Sequence, residues 1–290
     1  MPGPDSPVMF SPAEVAAVAE NALAHKALNR PYRALMLSLS GGGYIALGFV
    51  FFTTSQVGAA DALGYGMARV IGGLVFSVGL ALVVLTGAEL FTSTSMTLVA
   101  RASGLITWPR LFMHWGIVYI GNFFGAATIL LLCWFGGTWH QADGAWGKVI
   151  LDTSLSKLEH PFIEAFVLGI ACNLLVCLAV WVAFAGRTIT DKVLAVTGPI
   201  ALFVAAGFEH SVANMFMVPF GILIKDWAPP EYWVQIGMDQ ADYALLDWGQ
   251  FFAGNLLPVT LGNIIGGGIM IGAYYWLIFR LGEKHELTDA

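Results

Sequence analysis

The residues best suited to chemistry form two short runs far apart in the chain. The first is Gly87-Ala88-Glu89-Leu90-Phe91-Thr92, and the second is Gly207-Phe208-Glu209-His210-Ser211, followed by Asn214. His210 carries an imidazole whose charge can switch near physiological pH, and it stands between an acid and an amide. We therefore expect His210 to donate a hydrogen bond or a proton to a small polar molecule. The hydroxyl of Thr92 either joins that site or caps a helix.

These two runs lie in an unusually apolar chain. Of 290 residues, 58% are hydrophobic and 11% are charged, whereas a globular domain carries roughly a quarter charged residues. This composition excludes a disordered chain and an ordinary cytosolic enzyme. The net charge of −6 provides no basic surface for nucleic acid. A polytopic membrane protein remains.

Charged residues are clustered, and the stretches between the clusters carry almost none. A membrane-spanning helix needs about 20 predominantly apolar residues, whereas barrel strands are short and alternating. The sequence therefore predicts an all-α integral membrane protein. Its six predicted spans lie near residues 34–58, 69–100, 111–136, 162–186, 193–224 and 250–279. Basic residues predominate in the loops on the side of the two termini, which predicts that both termini are cytoplasmic.

The N-terminal segment carries a helix-start signal. Ser11-Pro12-Ala13-Glu14 reads as a capping box with proline at the first helical position, and the helix is expected to run to about Leu28. We expect this amphipathic helix to lie along the membrane surface or a neighbouring subunit, and a solvated helix is the alternative. The residues expected on its contact face are Val15, Val18, Ala22 and His25.

The two halves of the chain carry matching marks in the same order. Each half has a Gly-x-Glu inside an overlong span and then a Gly-Asn pair, at Gly121-Asn122 and at Gly262-Asn263. Because each half holds three spans, the second half must enter the membrane inverted. The predicted division is a cytoplasmic N-terminal helix (1–32), a first three-helix repeat (33–136), a periplasmic connection (137–161), a second, inverted repeat (162–280) and a cytoplasmic tail (281–290).

The Gly-x-Glu spans require a physical explanation. An unbroken helix of about 30 residues would be near 45 Å long, well beyond a hydrocarbon core of about 30 Å. A carboxylate facing lipid at its centre would cost about 2.5–3.5 kcal/mol. We therefore predict that the second and fifth helices are broken at Glu89 and Glu209, with both carboxylates bound to backbone amides. The two breaks are expected to meet near His210.

Together the two runs resemble the paired signatures of the formate–nitrite transporter family, and the similarity extends from about Ser11 to Arg280. This resemblance implies an aquaporin-like fold in the bacterial inner membrane and a homopentamer with one pore in each protomer. It also implies passive or proton-linked passage of formate and similar small monovalent anions across the lipid bilayer. Nitrite or hydrosulfide is the alternative substrate within the family. No cofactor or metal is implied.

The resemblance also assigns residues to the pore. They are Phe76 and Phe203 at an apolar constriction toward the periplasm, Leu80, Leu90, Phe91 and Val176 in its narrow parts, Asn173 and Asn263 as polar contacts, Thr92 on a gating loop, His210 at the centre with Asn214 nearby, and Lys157 in the outer vestibule.

Three other functions fit less well. A water or glycerol channel would carry two Asn-Pro-Ala motifs, and this sequence has no Asn-Pro pair. An intramembrane enzyme would need a nucleophile and a base on facing helices, whereas Ser211 and His210 are adjacent in sequence and point apart. A membrane scaffold would not need polar residues at two helix breaks.

Overall fold

The chain is helical throughout the part that its computed structural model describes, residues 10–287, and no strand occurs there. The α-helices are α1 (Pro12–Leu28), α2 (Pro31–Gln56), α3 (Ala59–Leu63), α4 (Tyr65–Phe76), α5 (Val78–Thr86), α6 (Phe91–Thr94), α7 (Leu98–Ala102), α8 (Trp108–Phe135), α9 (Ala145–Leu158), α10 (Phe162–Ala183), α11 (Ile189–Ala205), α12 (Ser211–Trp227), α13 (Pro230–Ile236), α14 (Leu257–Ile264) and α15 (Tyr274–Phe279). Two π-helical segments, Gln250–Leu256 and Ile265–Ala273, flank α14.

Five helical segments are long and apolar enough to cross a membrane: Pro31–Gln56, Tyr65–Thr86, Trp108–Phe135, Phe162–Ala183 and Gln250–Phe279. Four of them begin and end within a few residues of the predicted spans. The segment Tyr65–Thr86 covers only the first part of the predicted span 69–100, because residues 87–90 leave the helical conformation.

The charge pattern misplaced two helix starts. The structure begins α4 at Tyr65, four residues before Arg69, and begins α11 at Ile189 rather than near residue 193. The capping box of Thr188 and Asp191 starts α11, so its first turn includes charged residues. Arg69 is accommodated inside α4 because it hydrogen-bonds to the backbone of α11.

The N-terminal helix forms from the predicted capping box. The Glu14 amide donates to Ser11 Oγ at 3.3 Å, and the Ser11 amide donates to Glu14 Oε2 at 2.8 Å. That second hydrogen bond lowers the pKa of the exposed Glu14 carboxyl.

The face that α1 buries differs from the predicted one. The buried residues form a stripe of small and apolar side chains with one acid, and they are Val15, Ala16, Ala19, Glu20, Leu23, Ala24 and Ala27. This stripe packs against α7, α8, α10 and α15 of the same chain. Glu20 forms an ion pair with Arg280 at 2.6 Å, so α1 is joined to the end of α15. Of the residues predicted on the contact face only Val15 belongs to this stripe, and Val18, Ala22 and His25 are half-buried beside it.

The connection at residues 137–161 contains a 14-residue helix, α9, that packs against α12. Ser154 is fully buried on it and donates to the carbonyl of Met217 at 2.8 Å. The segment is therefore part of the packed structure as well as a connection. It positions Lys157, which lies in its last turn.

The packing of the helices is the same in both halves. α2 packs along the whole of α8, and α10 packs along α14 and the π-helical segment that follows it. These two pairs form the frames that hold the two Gly-x-Glu runs, and a large apolar cluster fills the space between the helices.

Candidate functional site

The first Gly-x-Glu run forms a short non-helical segment, residues 87–90, between α5 and α6. Gly87 has a φ of 73°, a left-handed conformation that favours glycine, and Leu90 is extended. Asn122 holds this segment: its Oδ1 accepts from the Phe91 amide at 2.8 Å, and its Nδ2 donates to the carbonyls of Ser38 at 2.7 Å and Glu89 at 2.9 Å. One side chain thus satisfies two backbone groups at the break, the Phe91 amide and the Glu89 carbonyl, and ties them to α2 through Ser38.

The second run repeats this arrangement between α11 and α12. Gly207 has a φ of 75°. Asn263 Oδ1 accepts from the Ser211 amide at 2.9 Å, and its Nδ2 donates to the carbonyls of Gly169 at 2.8 Å and Glu209 at 3.0 Å. Asn263 was expected as a polar contact in the pore. Its amide is instead engaged by the backbone, so it acts as the brace of this segment.

The Glu209 carboxylate is held by side chains. It accepts from Lys157 Nζ at 2.8 Å, from Asn214 Nδ2 at 2.7 Å and from Asn255 Nδ2 at 3.2 Å. The expectation of backbone amide donors was wrong here, because all three donors to this carboxylate are side-chain nitrogens, and the amide of Glu209 itself donates to the carbonyl of Leu168. A buried carboxylate needs such partners, and an ammonium supplies the strongest of them.

The Glu89 carboxylate is also held by side chains, but more loosely. Asn29 Nδ2, Thr94 Oγ1 and His114 Nε2 each lie 3.4 Å from one of its oxygens. The expectation of backbone amides was therefore wrong for this glutamate as well.

Sequence reasoning missed two of the residues that contact the glutamates. They are His114, which lies beside Glu89, and Asn255, which lies beside Glu209. Each stands eight residues before the bracing asparagine of its half, Asn122 or Asn263. This equal spacing is a signal in the sequence: extending the match between the two halves backward from each Gly-Asn identifies the pair.

The side chains of Thr92 and His210 meet across the two segments, with Thr92 Oγ1 3.1 Å from His210 Nε2. His210 Nδ1 accepts from the Ala213 amide at 3.1 Å and so caps the start of α12. Because Nδ1 is an acceptor, the proton of the neutral ring is assigned to Nε2. The ring therefore offers an N–H donor toward Thr92. The Phe203 ring stacks on the imidazole at 5.8 Å.

The expected apolar pore residues are buried in one large apolar cluster. The rings of Phe76 and Phe203 meet edge to face at 5.8 Å. Leu80, Leu90 and Val176 are all buried in the same cluster. Phe91 differs in that its ring packs against Tyr119 and Trp115 of α8. Asn173 is also braced: its Nδ2 donates to the Thr92 carbonyl at 3.0 Å and to the Asn263 carbonyl at 2.6 Å, which ties the two halves together.

Two cavities approach this region from opposite ends of α11. The larger cavity, about 370 Å³, is lined by Phe203 and Ala206 at the end of α11 and by Lys157 and His210. The smaller cavity, about 120 Å³, is lined by Lys192 at the start of that helix, with Lys26, Gly87 and Ser93 among its other residues. Leu80, Leu90 and Val176 are buried and line neither cavity.

Residues 13–277 of the chain match the family model described as formate/nitrite transporter. The chain belongs to the formate/nitrite transporter family. Among curated relatives of this family member, the formate channel FocA of Haemophilus influenzae is 49% identical over 93% of this chain and 94% of the relative. FocA of Escherichia coli is 46% identical over 96% of this chain and 97% of the relative.

Solved structures resemble this formate/nitrite transporter family member closely. A pentameric formate channel with formate bound has a TM-score of 0.82 and 46% identity, and the match covers 86% of this chain and 97% of that one. A channel described as an FNT family ion channel has a TM-score of 0.74 and 28% identity, with 92% of this chain and 98% of that chain covered. This family member is therefore a multi-pass membrane protein with the fold of these channels.

The family member brings most of the expected site residues together, with altered roles for some. Lys157 lines the larger cavity, as expected for a vestibule, but its ammonium is buried and paired with Glu209. Asn214 hydrogen-bonds to Glu209 and Asn255, so it supports the non-helical segment at residues 206–210. His210 lines the larger cavity, and Thr92, which it contacts, precedes Ser93 of the smaller cavity.

Proposed function

We propose that this chain is a membrane channel for formate and similar small monovalent anions, with one pore in each protomer of a homopentamer. The FocA relatives and the pentameric structure with bound formate support this substrate and this assembly. The observation that carries the proposal is the contact of His210, which lines the larger cavity, with Thr92, the chain neighbour of Ser93 in the lining of the smaller cavity. Its surroundings are apolar, which suits a narrow barrier crossed by one small solute at a time.

Six spans with an inverted repeat fit the structure best. The ion pair of Glu20 with Arg280 joins the two ends of the described chain, which supports an even number of membrane crossings. Five helical segments are long enough to cross by themselves. The sixth crossing is then formed by α11 and α12 together, interrupted at residues 206–210. The second span is interrupted in the same way at residues 87–90.

The excess of basic residues in the loops on the side of the two ends favours an orientation in the bacterial inner membrane with both ends on the cytoplasmic side. The larger cavity then opens to the periplasm and the smaller one to the cytoplasm. The matched bracing by Asn122 and Asn263 supports an inverted 3+3 arrangement of aquaporin-like form.

The apolar barrier disfavours water and ions because it offers them few polar partners. A bare anion pays a large desolvation cost in an apolar constriction. The Nε2–H of His210 and the hydroxyl of Thr92 offset that cost by hydrogen-bonding to the carboxylate. A second proton on the ring would have to displace the Ala213 amide from Nδ1, so proton-linked passage couples to the start of α12.

Replacing His210 with asparagine is expected to flatten the pH dependence of formate flux. An asparagine can still cap α12 by accepting from the Ala213 amide, but it does not titrate. Of the two side chains only the wild-type imidazole can gain a proton, so the histidine-dependent part of the flux should rise as the pH falls. The measurement is formate efflux from proteoliposomes between pH 5 and pH 8.

Wild-type protein at equal pentamer density is the control for His210→Asn. If both proteins show the same pH profile, His210 takes no part in proton transfer, although it can still bind the anion.

Replacing Phe203 with alanine is expected to raise the osmotic water permeability of the pore severalfold. The Phe203 ring closes against Phe76 and stacks on His210, so its removal opens the dry barrier on the larger-cavity side. Stopped-flow light scattering of proteoliposomes measures this permeability. Leu202→Ala is the matched control, since Leu202 is its chain neighbour and 55% exposed. Equal permeability of all three proteins would show that Phe203 is ordinary packing.

The proposed substrate is tested by uptake of labelled formate into proteoliposomes at several pH values, with nitrite and hydrosulfide as competitors. Strong competition by nitrite or hydrosulfide with weak formate flux would favour the alternative substrates. If none of the three anions enters, the channel proposal is wrong.

A further inference from the structure

Apart from His210 and Tyr65, five charged or titratable side chains line the larger cavity. All but one of them form ion pairs with one another. Lys157 Nζ lies 2.8 Å from Glu209 Oε1, so its charge is balanced inside the protein. His160 Nδ1 lies 2.7 Å from Glu164 Oε1 at the rim, where the Glu164 side chain is 54% exposed. The exception is Arg69, which forms no ion pair with a carboxylate anywhere in residues 10–287. Its charge is therefore the one available to a solute.

Arg69 also masks a surface that would repel anions. Its Nη2 donates to the Val204 carbonyl at 2.7 Å and its Nε donates to the Ala205 carbonyl at 3.3 Å. These carbonyls end α11, and a helix C-terminus carries a partial negative charge of about half an electron. With the guanidinium in place, this wall of the cavity presents a cation.

The position of Arg69 relative to the constriction is suitable for delivery. Phe76 lies seven residues further along the same helical span, which puts both on one face about 10 Å apart along the axis. Phe203 immediately precedes the two carbonyls that Arg69 binds. The remaining guanidinium nitrogen, Nη1, has no hydrogen-bond partner within residues 10–287. Guanidinium groups bind carboxylates through charge-assisted hydrogen bonds.

We propose that Arg69 is the anion-capture residue of this cavity, binding a small monovalent carboxylate beside Phe203 before it enters the constriction. This assignment rests on the proposed function and assigns the capture to Arg69 rather than to Lys157, whose charge is balanced by Glu209. A cation at the mouth of a low-dielectric cleft raises the local concentration of anions.

The test compares initial rates of labelled-formate uptake for wild type, Arg69→Gln, Arg69→Lys and Lys148→Gln at low and at saturating formate. Arg69→Gln is expected to lower the rate about 10-fold at low formate and to leave the saturated rate unchanged. Arg69→Lys is expected to lie in between. Lys148→Gln removes an exposed cation from α9 outside the cavity and is expected to match wild type.

Ionic strength separates capture from structural support. Raising it from about 0.01 M to about 1 M shortens the Debye length from about 30 Å to about 3 Å, so wild type should fall toward the rate of Arg69→Gln. A loss that is the same at all formate and salt concentrations, or no loss, would overturn the assignment. Absence of formate uptake by wild type would instead overturn the proposed function.

Discussion

Replacing Asn263 with leucine is expected to abolish transport and to lower the free energy of unfolding by at least about 2 kcal/mol. Asn263 is the hydrogen-bond partner of two buried backbone groups outside the helices, the Ser211 amide and the Glu209 carbonyl, and it also donates to the Gly169 carbonyl inside α10. Each buried backbone group left without a partner costs about 1–3 kcal/mol. The residues next to Glu209 would also lose the contact that sets their conformation. Thermal unfolding in detergent, together with formate uptake, measures both effects.

Two further variants make the Asn263 result specific. Asn263→Asp keeps an acceptor for the Ser211 amide, but it buries a carboxylate without a cation and turns an oxygen toward the carbonyls of Gly169 and Glu209, so it should be no more stable than Asn263→Leu. Leu261→Ala, two residues earlier and 43% exposed, should unfold close to wild type. Wild-type stability of Asn263→Leu would mean that the segment does not depend on this amide.

Replacing Lys157 with methionine is expected to destabilise the protein by about 3–5 kcal/mol, because it leaves a buried carboxylate without its cation. Glu209 would retain only the amides of Asn214 and Asn255. An amide offsets less of the desolvation cost of a carboxylate than an ammonium 2.8 Å away does. The measurement is again thermal unfolding, with the oligomer size checked by gel filtration.

The double variant Lys157→Met with Glu209→Gln separates lost charge balance from lost packing. A neutral glutamine can hydrogen-bond to the same two asparagines, so the double variant should be more stable than Lys157→Met alone. The single variant Glu209→Gln completes the comparison. If the losses of stability in Lys157→Met and in Glu209→Gln add up to the loss in the double variant, the ion pair contributes no coupling energy, and Lys157 does not stabilise the protein by balancing the charge of Glu209.

The sequence was informative about where the chain is helical and apolar, because hydrophobic runs and helix caps are local. The capping box of Ser11 and Glu14 is one example, and the long apolar helices are another. The non-helical residues 87–90 and 206–210 fall at the two Gly-x-Glu pairs, since glycine there adopts a left-handed φ that other residues avoid.

The partners of the glutamates could not be predicted in this way. Whether Asn263 faces a pore or a backbone carbonyl depends on side-chain direction, and spacing along a helix fixes only the face. Lys157 reaches Glu209 across 52 residues of sequence, and Arg69 reaches Val204 across 135. Contacts of this kind leave no local pattern. The family resemblance named Lys157 but not its buried pairing.

The proximity of Glu20 to Arg280 also bears on whether the order of the two halves along the chain could be exchanged. With its first and last long helices in contact, the described chain is close to a ring, and domains of this kind tolerate circular permutation. The exposed turn at residues 141–143, which contains Ala142 and Asp143 at positive φ, offers a place for new ends. A permuted gene that encodes the second half before the first should therefore yield the same packed bundle.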